Sequence, residues 1–474
     1  MSDALEKRIK KHIIGKPHRF LAISPLGFEQ TLARELDCIL GESATELPHV
    51  TGDGKVEFTT KLTEAWKAVA VSRIANRVLM EVASFKAENF RELEKKASEI
   101  PWELYLDERT GKALQTRDES IIPSNSKLVT SNLPHIHVTC KHSRLYHSDA
   151  IAERLYNVIA QSNIPQSEAS SEGKARPHTP KPDSSGDPIP QNLYVNFLDD
   201  RCTIWLDLAG EELYKRGFER FVNDAPLKET IASAMIFEAL HFLPSTSYSL
   251  LDLMAGSGTF SLEAACIANK IIPGTCRDFA LKHQPAFKEA TWNFITRSVT
   301  LNEVKDPVKS CNATKHPIIA KIITSDISER AVNIIKHNIE CSPLAQIEPA
   351  PIAPQQKDFF SYSAKEIADA CGDSSPILVL NPPYGKRLDF DAPKLYTQIG
   401  KKLTELARDL RNLGKSLTVA ILVPKDDTRD GAKYTCTANL LRECPALSPE
   451  HSPTTKVIQT SHGGFSLNAF FATI

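Results

Sequence analysis

A chain of 474 residues is too long for one compact core, so two or more domains are expected, with ample room for an enzyme. Lys and Arg number 57 against 58 Asp and Glu, a formal charge of -1 that neither announces nor excludes nucleic acid, because binding follows local patches. The ten cysteines are scattered without a close metal-type pair, which reads as reduced thiols and argues against both zinc and a disulfide framework.

The opening stretch MSDALEKRIKKHIIGKPHRF lacks the apolar core of a secretory signal, and no apolar run approaches the roughly 20 residues of a membrane helix, so the protein is expected in the cytoplasm. Strand-like and helix-like segments then alternate: RFLAISP and FEQTLARELDCIL, KVEFTT and KLTEAWKAVAVS, RVLMEVASF and NFRELEKKASEI. Small α+β modules are implied. After a polar interval near 107–134, HIHVTCKH reads as a strand. HSDAIAERLYNVIAQ reads as a helix, with Ile151, Leu155, Val158 and Ile159 on one face and Ser148 or Asp149 as its N-cap. Residues 164–190, rich in Ser, Pro and charge, cannot offset their ordering entropy and are expected as a flexible excursion. NLYVNF, an LDD turn and RCTIWLDL follow as a hairpin.

From Ala225 the pattern becomes an α/β repeat, with strands YSLLDLM, IIAKIITSDI, ILVLNPP and SLTVAILV separated by helices. Strands alternating with helices pair in parallel through right-handed crossovers, which gives a doubly wound sheet. In the tail, TKVIQTSHGGFSLNAFFATI, two strand-like runs meet across SHGG, so a terminal antiparallel hairpin is expected.

In LLDLMAGSGTFSLEAA, Gly256 and Gly258 fall between a strand and a helix, at the edge where doubly wound folds bind nucleotides. The pattern is G-x-G-x-x-S, with Ser261 where a dinucleotide fingerprint has a third Gly. Asp326 ends the next strand and Asp358 opens another loop on the same expected edge, while Asp252 either fixes the glycine loop or meets a ligand amine. Asp326 or Asp358 taken alone is more often a helix cap or turn former than a ligand, and their joint spacing along successive strands is what points to a site. In SPILVLNPPYGKRL, an apolar strand stops on Asn381-Pro382-Pro383-Tyr384. The Asn381 amide oxygen and the Pro382 carbonyl can accept both N–H groups of an aromatic amine and turn its lone pair toward an electrophile. Neither proline offers a competing N–H, and Tyr384 offers a face for a base.

Together DLMAGSGTF, Asp326, the Asp358 loop and NPPYGKRL resemble the class I S-adenosylmethionine-dependent amino-methyltransferases. More narrowly, SRIANRVLMEVASF, HVTCKHSRLYHSDAIAERL, DLAGEELYKRGFER, APLKETIASA and LYTQIGKKL are similar to the THUMP-containing RNA guanine-N2-methyltransferases of the large-subunit ribosomal RNA branch. That resemblance implies an α/β fold, with a ferredoxin-like plus THUMP RNA-binding region over 18–212 and a Rossmann-like methyltransferase domain over 213–474. It implies S-adenosylmethionine as cofactor, held by Asp252, Ala255, Gly256, Ser257, Gly258, Thr259, Asp326, Ile327, Asp358 and Phe359. Asn381, Pro382, Pro383 and Tyr384 become the catalytic loop. The implied partner is ribosomal RNA, with no metal and no membrane, touched by Lys141, His142, Arg144, Lys215 and Arg216 and by KRIKKH at 7–12; Phe218, Arg220 and Phe221 interleave with that basic set. Oligomeric state stays open. Larger bacterial relatives often carry a second methyltransferase domain; the chain ends at Ile474, so no second activity is expected. SHGGF replaces an Asn-Gly step, and no site residue is assigned there. The competing readings are a transfer RNA guanine-N2-methyltransferase, an N6-adenine or glutamine methyltransferase, an inactive RNA-binding assembly factor, and a nicotinamide-dependent dehydrogenase, the last disfavoured by Ser261.

Overall fold

Among the described residues, fourteen strands fall into two seven-stranded sheets. The computed structural model describes residues 3–106, 134–162, 191–222, 226–241, 247–301, 318–384, 391–426 and 435–474. The excursion expected at 164–190 and most of the 107–134 interval lie outside these residues.

The first sheet holds β1 (Pro17–Ile23), β2 (Ala44–Gly52), β3 (Lys55–Lys61), β4 (Arg77–Lys86), β5 (His135–Lys141), β6 (Asn192–Leu198) and β7 (Arg201–Asp207), in the order β2-β3-β1-β4-β7-β6-β5. Alternation sends Phe20, Ala22, Val56, Phe58, Val78 and Met80 to the face covered by helices, where Phe20 and Phe58 stack at 5.4 Å. The LDD turn between β6 and β7 places Asp199 and Asp200 at φ 49° and 61°, the left-handed pair of a type I′ hairpin. Only β5 and β6 run parallel, joined through the helix Ser148–Gln161; neither Ser148 nor Asp149 caps that helix, because His147 occupies the N-cap without a side-chain bond. Where the sequence implies separate small modules, β4 pairs antiparallel with β7 and makes one continuous sheet of them.

The second sheet holds β8 (Ser247–Asp252), β9 (Ile318–Asp326), β10 (Gln355–Gln356), β11 (Ser375–Leu380), β12 (Thr418–Pro424), β13 (Lys456–His462) and β14 (Phe465–Thr473), in the order β10-β9-β8-β11-β12-β14-β13. The first five strands are mutually parallel, and β14 and β13 close the sheet as the expected antiparallel hairpin. The central parallel strands β8, β11 and β12 are buried on both faces, as they must be when helices cover both. Leu250, Val379 and Leu422 face one cluster, while Leu251, Leu378, Leu380 and Ile421 face another around the helix Ala392–Asn412. The first cluster runs unbroken into the core of the other sheet through Phe20, Trp66 and Trp102. No helix among the described residues is long and apolar enough to cross a membrane.

Candidate active site

Parallel pairing places the carboxyl ends of β9, β8 and β11 side by side, so Asp326, the glycine loop and Asn381 share one edge. The chain leaves β8 at Asp252 and turns through Gly256 and Gly258, at φ 57° and 79°, into the helix Thr259–Ala268. A Cβ on Gly258 would lie 2.9 Å from Cγ1 of Ile335, so only glycine lets the loop pack on the helix Glu329–Glu340. The Ala255 N–H donates to the Ser325 carbonyl (3.1 Å), and the Gly256 N–H donates to Oδ2 of Asp326 (2.8 Å). Oδ1 of Asp326 accepts the Ser328 N–H (2.9 Å), and Ser328 itself caps the following helix. Asp326 thus ties the glycine loop to β9, with remaining lone pairs at a half-buried position beside Ile327, which is 67 % exposed.

Asp252 turns inward. It is buried, and its Oδ2 accepts the Ser261 N–H (3.1 Å) and hydroxyl (2.7 Å), so it fixes the loop. This also accounts for Ser261 in place of a third glycine. Burial pushes the Asp252 carboxyl up to about 7 against the pull of the Ser261 hydrogen bonds, with the Asp326 charge adding to the rise. A folded-state value above the ordinary 3.8 means that the stability tied to the neutral acid is complete below pH 3.8 and is lost as pH rises through about 7. The expected result is that Asp252→Asn, which keeps the acceptor without the charge, gains melting temperature relative to the parent as pH rises from about 4 to about 7. A gap that does not change with pH would show that the carboxyl titrates normally.

Ser257 and Thr259 are also buried, with side chains turned toward Arg220, whose guanidinium donates to Oγ1 of Thr259 (2.6 Å) and reaches Oγ of Ser257 (3.4 Å) while pairing with Glu229. Their hydroxyls shape the loop from behind. Asp358 lies two residues beyond β10 and caps a short turn by accepting the Phe360 N–H (3.0 Å). Phe359 is 2 % exposed and packs in the core, so its side chain does not line the edge.

Asn381 follows β11 directly, between β8 and β12. Its Oδ1 is buried with no hydrogen-bond partner among the described residues. An acceptor left this way costs about 1–3 kcal/mol, and sites that retain one do so for a ligand or a mechanism. Pro382 is buried, with the Tyr396 hydroxyl 3.5 Å from its carbonyl and 3.4 Å from that of Leu422, both long contacts; Pro383 is exposed. Tyr384 is half-buried and meets Phe465 edge-on, with ring centroids 5.8 Å apart. Gly385 to Leu388 of the motif lie outside the described residues.

The basic residues divide. Arg216 is not available to RNA: it is buried against Glu263, with Nε to Oε1 at 3.0 Å and a second nitrogen to Oε2 at 3.1 Å. Lys141, His142, Arg144 and Lys215 are exposed, although Arg144 pairs with Glu88 and lies 3.6 Å from Asp200, and Lys215 pairs with Glu211 at 2.9 Å. Of the 7–12 run, Arg8 pairs with Glu103 and Ile9 is buried.

Sequence reasoning missed three supports. Arg220 looks like part of a solvated basic run and instead braces the glycine loop. Asn338 donates to the Ser257 carbonyl (3.1 Å) and exchanges hydrogen bonds with the Phe221 backbone (2.8 and 2.9 Å), which no local pattern signals. Phe465, the aromatic of SHGGF, was the readable one: it follows two glycines at φ 59° and 82° that turn the hairpin toward Tyr384.

Residues 19–79 match the family model of the RlmL ferredoxin-like domain, and residues 216–421 that of the RMKL-like methyltransferase domain. A Ribosomal RNA large subunit methyltransferase K/L of Alteromonas mediterranea is 30% identical over 79% of this chain and 47% of its own length. The chain therefore spans about half the length of the K/L relatives it matches. The Bacillus subtilis protein named "Putative RNA methyltransferase YpsC" is 27% identical over 82% of this chain and 86% of its own length. In fold, the chain is similar to SMU.472, solved in complex with SAH, at a TM-score of 0.65 and 20% identity over 96% of this chain and 98% of that one. The chain thus carries an RlmL-type ferredoxin-like domain and, behind it, a methyltransferase domain of the RMKL-like family.

Proposed function

We propose that this protein transfers a methyl group from S-adenosylmethionine to the exocyclic N2 amine of a guanine in RNA, with large-subunit ribosomal RNA as the substrate. The observation that carries the reading is the buried Asn381 Oδ1, without a hydrogen-bond partner among the described residues, at the end of the strand next to the one that leads into the glycine loop. The names of the K/L relatives and of YpsC support RNA as the substrate class.

The residues present fit the cofactor. Gly256 and Gly258 leave room for close backbone approach, Asp326 keeps lone pairs for ribose hydroxyls, and exposed Ile327 offers an apolar surface for an adenine. Asp358 and the Phe359 backbone stand at the next loop on the same edge. When bound, the cofactor supplies a methyl group already activated by its sulfonium. The protein's own part is positioning: Asn381 Oδ1 and the Pro382 carbonyl take the amine hydrogens, which frees the nitrogen lone pair to point at that methyl. Tyr384 bounds the base, and the proton lost after transfer passes to water. The target guanine must be unpaired or flipped to reach this loop. Lys141, His142, Arg144 and Lys215, with the ferredoxin-like and THUMP-like sheet, form the RNA-contacting side in this reading.

The test is incubation with labelled S-adenosylmethionine and unmodified ribosomal RNA, transfer RNA or DNA, followed by digestion to nucleosides. N2-methylguanosine from large-subunit RNA is the expected product. Label confined to transfer RNA, or to adenine in DNA, overturns the substrate. Affinity for the RNA is expected to fall linearly on a log–log plot against salt, with a slope of roughly -0.7 to -0.9 per phosphate neutralised. A flat response would remove RNA altogether.

A further inference from the structure

We propose that Glu219, His337 and Cys341 form a binding site for a zinc-type divalent cation. Cys341 lies one helical turn after His337 at the C-terminal end of the helix Glu329–Glu340, and its Sγ is 3.4 Å from Nε2 of His337. A tetrahedral zinc with Zn–S near 2.3 Å and Zn–N near 2.05 Å separates those two atoms by about 3.5 Å. The pair already stands at ligand spacing. A carboxylate oxygen of Glu219, on an exposed loop from a distant part of the chain, lies within 4.8 Å of the Cys341 sulfur and of a ring nitrogen of His337, so a shift of about 1 Å completes a three-ligand set. The absence of a close cysteine pair argues against zinc in the sequence. This site uses one cysteine, an i, i+4 histidine and a carboxylate that only the fold brings in.

The imidazole is also held in place. The Phe221 ring stacks on His337 with centroids 4.0 Å apart and planes 19° off parallel, and Asn338 hydrogen-bonds the Phe221 backbone in both directions. Such support orients a ligand before the metal arrives. Glu219, His337 and Cys341 supply O, N and S donors, a set that suits zinc, and leave a fourth position for water. Coordination forms the S–metal bond as the Cys341 S–H releases its proton to solvent. The bound cation would fasten the 219–221 segment to the helix whose Asn338 holds the Ser257 carbonyl, and so would stiffen the glycine loop from outside the reaction centre. The site does not depend on which RNA is methylated.

The experiment titrates metal-free, tag-free full-length protein with Co2+. The expected result is one equivalent bound with a near-ultraviolet thiolate-to-cobalt band, displaced by Zn2+ and abolished in Cys341→Ser, together with a Zn2+-dependent rise in melting temperature in the parent protein only. Glu219→Gln should weaken Zn2+ binding by at least about 10-fold, the scale seen even for residues that only support a ligand. No band, or a band of equal strength in Cys341→Ser, overturns the site. Parent-like affinity in Glu219→Gln overturns the three-ligand set.

Discussion

Replacing Asn381 by alanine should lower the single-turnover rate of methyl transfer by about 10²–10³-fold, the range found when one preorganised hydrogen-bonding group is removed from a reacting centre. Cofactor affinity should stay where it was, because Asn381 stands on β11 while the glycine loop follows β8 and is braced by Asp252, Asp326, Asn338 and Arg220. The fold should not suffer either: Oδ1 is buried without a partner among the described residues, so its removal relieves an unmet acceptor there. Asn381→Asp keeps an acceptor at the same reach and is expected to retain more activity than Asn381→Ala. Rapid-quench turnover and a cofactor titration on each variant separate the possibilities. If alanine weakens cofactor binding as strongly as it slows transfer, the amide holds the pocket together and the assignment to the acceptor base fails.

Much of this edge was legible because its signals are local. Glycines at forced φ punctuate β8 and its helix, and the apolar runs of β11 and β12 need no partner to be recognised as buried strands. What escaped is what depends on residues far apart. The pairing of β4 with β7 merges the N-terminal modules into one sheet, yet neither strand's pattern names its neighbour. KRGFER reads as a solvated basic run because charge runs usually are; in the fold two of its arginines, Arg216 and Arg220, point inward to Glu263 and Glu229. Glu263 was a clue left unused, a lone acid inside the apolar helix TFSLEAACIA, since a charge there is retained only with a partner.

That acid sets the second large effect: Glu263→Ala should destabilise the protein by about 3–5 kcal/mol, the cost of removing one member of a buried ion pair. Its carboxylate accepts from Arg216 at 3.0 and 3.1 Å, from Arg73 at 3.1 Å and from the Ser233 hydroxyl at 2.6 Å, and Arg216 also donates to the Arg73 carbonyl (2.9 Å). Without it, two guanidiniums below the surface lose the carboxylate they share. Arg73 follows the helix Leu62–Val71 beside the first sheet, and Glu263 belongs to the helix that starts at the glycine loop, so the loss falls on the contact between the two halves. The shared apolar cluster makes that contact part of one core, and denaturant unfolding is expected to remain a single transition with its midpoint lowered. By contrast, Glu211→Gln on the same connecting segment removes an exposed partner of Lys215 and should cost under about 1 kcal/mol. Burial pushes the Glu263 carboxyl up, but Arg216 and Arg73 overcome it and hold it down at about 2. Its contribution is therefore complete above the ordinary value of 4.5 and is lost only as pH falls from there toward about 2. Denaturation curves of parent and variant should show the same gap at neutral and mildly alkaline pH and a shrinking one in acid. A gap under about 1 kcal/mol at neutral pH, the range of exposed pairs, would mean that water reaches the cluster and that the two sheets are not joined through it.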